Sequence, residues 1–204
     1  MYKYYIKRVI DIVISFALMI VFMPVMALIF ICLLVLNNGK PLFLQKRVGK
    51  NEVLFTLIKF RTLADKFDEK GVLLPDHLRS TKIGRMLRKS SLDELPQLLN
   101  VLLGDMSLIG PRPLLIKYLP YYTAMERKRH DLKPGISGLA QISGRNELKW
   151  SKRLALDVYY VKHASFRLDV IIFLKTIGKI LSASDVIFDK PYTIADLDDE
   201  RRGR

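Results

Sequence analysis

The sequence predicts a mainly α protein with one small β-hairpin, an α+β chain whose N-terminal helix enters a membrane and whose remainder forms one compact cytoplasmic domain. Three observations predict this. No residue from Ile12 to Leu36 carries a charge, with only Ser15 and Pro24 interrupting the apolar run. The segment Pro41–Thr62 carries two β-prone stretches separated by Gly49-Lys50-Asn51, which is turn chemistry. The remaining apolar residues fall mostly at helical spacing. The 204 residues are 50% hydrophobic with a formal net charge of +14. That content is too apolar for a disordered chain. The single cysteine, Cys32, excludes an intramolecular disulfide, and the three histidines, His77, His130 and His163, are too scattered for a metal site. A strongly basic balance leaves nucleic acid, anionic lipid or phosphorylated substrates as partners.

The apolar run would make a helix roughly 37 Å long at about 1.5 Å per residue, enough for a hydrocarbon core of about 30 Å. It is too long for the apolar region of a cleaved signal and ends in Leu34-Val35-Leu36-Asn37 rather than a small-x-small site. Lys3, Lys7 and Arg8 precede it; Lys40, Lys46, Arg47 and Lys50 follow. Both flanks therefore favour the cytoplasmic side. With Pro24 near the middle, unable to donate to the helix ladder, a re-entrant helix that enters and leaves by one face is preferred over a spanning one. The expected organisation is a re-entrant membrane helix over 1–38, a cytoplasmic domain over 39–190 and a tail over 191–204.

Further along, Phe67–Ser80 reads as loop and Ile83–Arg88 as a short basic helix. Leu92–Leu103 is expected to be helical and Gly104–Pro113 a loop. Leu115–His130 is a patchy helix broken at Pro120, and Pro134–Gly144 is loop with one short strand. Ser151–Lys162 is another helix. Phe166, Val170, Phe173, Leu174, Ile177 and Leu181 form one helical stripe, with Arg167, Lys175 and Lys179 off it. Such a basic amphipathic helix either lies in a membrane interface or packs its stripe on the core. Trp150, Tyr159 and Tyr160 are interface anchors or core. Asp196–Arg202 reads as a frayed tail.

Four short segments carry chemistry. In Ser91-Leu92-Asp93-Glu94-Leu95-Pro96-Gln97, the adjacent carboxylates Asp93 and Glu94 open a helix. Ser91 and Glu94 have capping-box spacing, yet Pro96 fits such a cap poorly. The alternative makes Asp93 a nucleophile or metal ligand, kept ionised by the helix N-terminus. In Gly110-Pro111-Arg112-Pro113 two prolines restrict the backbone around one arginine, an economical way to aim a guanidinium at phosphate. Lys133-Pro134-Gly135-Ile136-Ser137-Gly138, continuing to Arg145, offers glycines for close backbone approach to a ligand. Lys59-Phe60-Arg61-Thr62 places cations at the hairpin end.

In this order and spacing, these segments with Gly104-Asp105-Met106-Ser107, Leu156-Asp157-Val158-Tyr159-Tyr160 and the apolar run resemble the bacterial sugar transferase family, in particular its small monotopic polyprenol-phosphate phosphoglycosyl transferases. The resemblance covers roughly Lys7 to Ile187. It implies transfer of a phosphosugar from a UDP-sugar to undecaprenyl phosphate, with UMP released, on the cytoplasmic face of the bacterial inner membrane. Asp93 matches the family nucleophile and Glu94 the second dyad member. Mg²⁺ is the implied cofactor, held by Asp93 and Glu94. Lys59, Arg85, Arg88 and Arg112 would hold phosphate, Arg145 the nucleotide, and Asp157 would orient a cation or complete the metal shell. Pro24 matches the membrane kink, although Met23 stands where many members carry serine. A phospholipid membrane is the expected surface, no nucleic acid partner is expected, and a homo-oligomer remains compatible. A basic membrane-tethered binding or scaffold protein is the alternative, but it gives no reason for the Asp93-Glu94 pair.

Overall fold

The computed structural model describes residues 1–144, 148–182 and 196–202. After a π-helical turn over Tyr2–Ile6, helix α1 runs from Lys7 to Leu36 with Pro24 inside it. It is the one described helix long and apolar enough to cross a membrane. Strands β1 (Leu42–Val48) and β2 (Leu54–Phe60) form the expected antiparallel hairpin, closed by a 3₁₀ turn over Lys50–Glu52. Asn51 and Glu52 take positive φ there, which asparagine accepts more readily than most residues. The expected loop over Phe67–Ser80 contains a short helix, α2 (Asp76–Arg79), and helix α3 (Lys82–Lys89) follows it. The Thr81 hydroxyl caps α3 by accepting the Gly84 N–H at 2.9 Å.

The expected helix over Leu92–Leu103 is divided. A 3₁₀ turn spans Leu92–Glu94 and α4 spans Gln97–Leu103, with Pro96 at its N-cap. A proline needs no N–H there, so it starts the helix instead of breaking one. Gly104, at φ +96°, ends α4. The expected loop beyond it contains strand β3 (Ser107–Ile109). The region 115–131 is not one patchy helix but a 3₁₀ turn over Ile116–Tyr121, helix α5 (Ala124–Arg127) and a second 3₁₀ turn over Lys128–Asp131. Strand β4 (Gly135–Ser137) pairs in parallel with β3. Helices α6 (Leu139–Ile142), α7 (Trp150–His163), α8 (Phe166–Ser182) and α9 (Leu197–Arg201) complete the chain.

The main core lies between β2, α4, β3, α7 and α8, and Ile14, Leu18 and Met19 of α1 pack against it. At its start α1 is held by polar groups. Lys7 pairs with Asp169 of α8 at 2.6 Å, and Asp169 also accepts the Tyr2 and Tyr160 hydroxyls, each at 2.6 Å. Asp11 accepts the Leu108 N–H at 3.1 Å. Arg8 donates to the carbonyls of Val101 and Leu102, where a cation satisfies the orphan acceptors of a helix C-terminus. At its other end, Ile29 and Leu33 pack on Phe60 and Leu87, with Met26 and Leu92 alongside. Both ends of α1 therefore bear on the same domain, while Phe16, Ile20, Val21 and Met23 between them are exposed.

On α8, Ile172 faces the core and Phe173 is partly covered by it. Phe166, Val170, Leu174 and Ile177 of the expected stripe stay exposed, so these four residues do not pack on the core. Trp150 and Tyr160 are core residues, whereas Tyr159 is exposed. The expectation of a frayed tail is overturned at residues 196–202. Leu197 is fully buried against Tyr118, Trp150 and Leu154, and Arg201 pairs with Glu126 at 2.7 Å.

Candidate active site

The dyad sits where α3 gives way to α4. Ser91 adopts a left-handed conformation, φ 56° and ψ 16°, and turns the chain sharply before the 3₁₀ turn that carries Asp93 and Glu94. A non-glycine residue in that region stores backbone strain, a feature that concentrates at functional sites. The capping-box reading does not hold. The Ser91 side chain makes no cap hydrogen bond, and the Glu94 carboxylate reaches Arg112 instead, Oε1 to Nη2 at 3.0 Å. Asp93 is 5% exposed. Burial first, and then the charge of Glu94, push its pKa up to about 6, against the opposing pull of Lys59, Arg88 and Arg112. It is thus a buried carboxylate that still ionises near neutral pH, ringed by three cations.

Each cation is delivered by a different element. Lys59 lies near the end of β2, over the ring of its cross-strand neighbour Phe43 at 5.4 Å. Burial lowers its pKa, and the two carboxylates work in the opposite direction. Arg88, near the end of α3, donates Nε–H to the buried Thr62 hydroxyl at 2.7 Å. That contact joins the Lys59–Thr62 segment to the dyad. Gly84 makes it possible, because a Cβ there would collide with the Thr62 carbonyl. Arg112 projects from the Pro111–Pro113 loop. Arg85, one turn before Arg88, makes no hydrogen bond or ion pair with the cluster among the described residues. Arg145 lies outside the described residues.

Asp157 is not beside the dyad carboxylates. It is fully buried on α7 and accepts from Arg129 Nη2 and Nε at 2.7 and 3.1 Å. Burial raises its pKa and Arg129 opposes that shift. Arg129 also donates to the Arg112 carbonyl at 2.7 Å. Asp157 therefore pairs with the cation that also holds the Arg112 loop. The glycines of the 133–138 segment do not cradle a ligand either. A Cβ on Gly135 or Gly138 would strike the backbone of Gly110. They let β4 and the Arg112 loop lie back to back, tied by Gly110 N–H to Ser137 O at 2.8 Å and Gly135 N–H to Pro111 O at 2.9 Å.

Asn100 was not singled out in the sequence. It is buried on α4, donates to Thr56 O at 2.8 Å and accepts from Ile58 N–H at 3.0 Å, fixing the helix that follows the dyad against β2. Its place as the one polar residue within Leu98–Leu103 was the available signal. Arg129 left none, being one cation in a run of polar residues.

A profile of the bacterial sugar transferase family matches residues 2–183. The chain belongs to that family. It is 55% identical over 152 residues to the uncharacterized sugar transferase EpsL of Bacillus subtilis (strain 168), covering 74% of this chain and 75% of that one. It is 37% identical over 195 residues to the undecaprenyl-phosphate galactose phosphotransferase of Salmonella typhimurium, covering 87% of this chain and 40% of the relative. Similarity to the UDP-N-acetylgalactosamine-undecaprenyl-phosphate N-acetylgalactosaminephosphotransferase of Aeromonas hydrophila is 37% over 190 residues, covering 87% and 44%. The chain thus spans about two fifths of the length of the last two. In this sugar transferase the matched region includes every element that delivers the dyad and its cations.

Proposed function

We propose that this sugar transferase moves a phosphosugar from a UDP-sugar to undecaprenyl phosphate through a covalent intermediate on Asp93. The observation that carries the reading is the buried Asp93 beside Glu94, within a ring of Lys59, Arg88 and Arg112. An Asp93 carboxylate oxygen attacks the β-phosphorus of the donor. The bond from that phosphorus to the bridging oxygen breaks and UMP leaves. An oxygen of undecaprenyl phosphate then attacks the same phosphorus, the acyl-phosphate bond breaks, and the Asp93 carboxylate is restored with undecaprenyl diphosphate sugar as product. Splitting the transfer in this way gives ping-pong kinetics. Arg112 and Arg88 would hold phosphate oxygens, and Lys59 would offset charge that builds during attack.

The donor set also suits the expected Mg²⁺. Two adjacent carboxylates raise each other's cost of ionisation, and a hard cation bound through one or two carboxylates plus substrate phosphates relieves it. Glu94 and Asp93 would hold the ion, which supplies charge neutralisation for the diphosphate.

The attachment of α1 supports the re-entrant arrangement at Pro24. Crossing a core of about 30 Å would put one end of the helix on the far side, yet both ends bear on one domain. The exposed Phe166, Val170, Leu174 and Ile177 of α8 supply an apolar face for the lipid interface, which sets the dyad where a lipid phosphate and a soluble nucleotide meet. Tags at residue 1 and after residue 190 should then both be protected from periplasmic labelling reagents, and labelling of the first would overturn the topology. For the chemistry, purified protein is given undecaprenyl phosphate, Mg²⁺ and a panel of UDP-sugars. UMP from one of them, absent with Asp93→Ala, is the expected result. UDP in its place would mean direct glycosyl transfer and overturn the mechanism.

A further inference from the structure

A cleft of about 140 Å³ opens between the hairpin turn and the C-terminus of α4, with Gly49, Lys50, Leu54, Gly104, Asp105 and Lys133 in its lining. The dyad lies at the opposite end of α4, and the seven residues of that helix set the two about 10 Å apart at about 1.5 Å per residue. The cleft is therefore separate from the site described above. Cations converge on it from three elements. A Cβ on Gly104 would stand 3.4 Å from Arg8 Nη2 and 3.5 Å from Lys133 Nζ, so both charges crowd the same point. Lys50 comes from the hairpin turn, its Nζ lying 5.9 Å over the ring of Tyr4.

Arg8 is engaged with the carbonyls that end α4. Lys50 and Lys133 form no ion pair among the described residues. Asp105, the carboxylate in the lining, accepts from Asn100 Nδ2 at 3.3 Å. Like charge prevails around Lys133: burial, then Arg8 and Lys50, lower its pKa against the opposing pull of Asp11 and Asp105. A bound anion relieves that crowding. The rim decides which kind of anion fits. Tyr4, Val53, Leu54 and Leu103 are exposed, and Tyr4 and Arg8 precede by a few residues the uncharged run that begins at Ile12. Cations beneath an apolar rim, at the foot of a helix entering lipid, suit a phosphate that carries acyl chains better than one free in solution.

We propose that Lys50 and Lys133, beside Arg8, bind the phosphodiester headgroup of an anionic phospholipid, a lipid contact distinct from the acceptor phosphate at the dyad. The inference rests on the membrane entry of α1 proposed above. The bound headgroup ties the hairpin turn and the end of α4 to the bilayer at the point where α1 goes in.

The test uses the full chain in a neutral detergent. Binding of short-chain phosphatidylglycerol, of phosphatidylcholine with the same chains and of inorganic phosphate is measured by native mass spectrometry and by the Tm shift each produces. Tm without lipid is the folding control. Wild type is expected to prefer phosphatidylglycerol. Lys50→Gln and Lys133→Gln should each weaken that binding about fivefold, and Lys133→Arg should retain it. Lys46→Gln with Lys82→Gln removes two exposed charges elsewhere and should leave it unchanged. Affinity within about twofold of wild type when Lys50→Gln and Lys133→Gln are combined overturns the proposal, as does no preference over phosphatidylcholine. An equal loss in the Lys46 and Lys82 control would overturn it too, because diffuse attraction to the net positive charge would then explain the binding. Inorganic phosphate bound as tightly as the lipid would assign the cleft to a soluble anion instead. Periplasmic labelling of residue 1 tests the membrane entry by itself, so the topology and the headgroup site can fail separately.

Discussion

Replacing Asp93 by Asn should abolish turnover and, at neutral pH, make the fold more stable. The carboxylate sits at 5% exposure, and its pKa rises from 3.8 to about 6 on folding, through burial and then the charge of Glu94. A carboxyl whose pKa rises on folding binds its proton more tightly in the native state. Ionising it therefore costs stability. That cost is absent below about pH 4, accumulates as pH rises from there to about 6, and is complete above that. Two pKa units correspond to about 3 kcal/mol at 1.36 kcal/mol per unit. Asparagine keeps the shape and removes the charge. For a chain of this size the gain amounts to about 6–12 °C in Tm, an upper figure because the amide brings its own hydrogen-bonding demand. The assay is thermal unfolding of both proteins in detergent at pH 4 and pH 8, without nucleotide or divalent cation. The expected result is a higher Tm for Asp93→Asn at pH 8 and a small difference at pH 4. A variant less stable than wild type at pH 8, or a difference independent of pH, would refute the account of Asp93 as a carboxylate held at a cost. Retained turnover would refute its role as nucleophile.

Other expectations follow from the same contacts. Chelation by EDTA should stop UMP release and added Mg²⁺ should restore it, read in a release assay; persistence in EDTA would mean the dyad works without a metal. Arg129→Met should destabilise by about 3–5 kcal/mol, since it leaves Asp157 charged and buried without its partner. Adding Asp157→Asn should recover part of the lost Tm. Gly135→Ala should fail to give folded, active protein, because its Cβ meets the Gly110 backbone; a folded variant with normal Tm would show that the two segments can separate freely. Wild-type turnover should decline as pH falls below about 6, when Asp93 takes up its proton, and an unchanged rate at pH 5 would count against a carboxylate nucleophile.

The sequence by itself determined the elements whose signal is local. The apolar run of α1, the hairpin with its Gly49–Asn51 turn, the helices over 82–89, 150–163 and 166–182, and the adjacency of Asp93 and Glu94 all lie within a few residues of the feature that reveals them. Only the tertiary structure decided what depends on partners far along the chain. Lys7 and Arg8 read as flanking charges, yet they lock α1 to Asp169 and to the end of α4. Ser91-x-x-Glu94 has the spacing of a cap, but the Glu94 carboxylate pairs with the Arg112 guanidinium, eighteen residues along the chain, and Ser91 makes no cap hydrogen bond. The glycines at 135 and 138 suggested a ligand, and they serve instead to let two backbone segments touch. Asp157 meets Arg129 and not the dyad. A residue's type fixes which contacts it can make. Which of them it makes is settled by competition among groups that only the packed chain brings within reach.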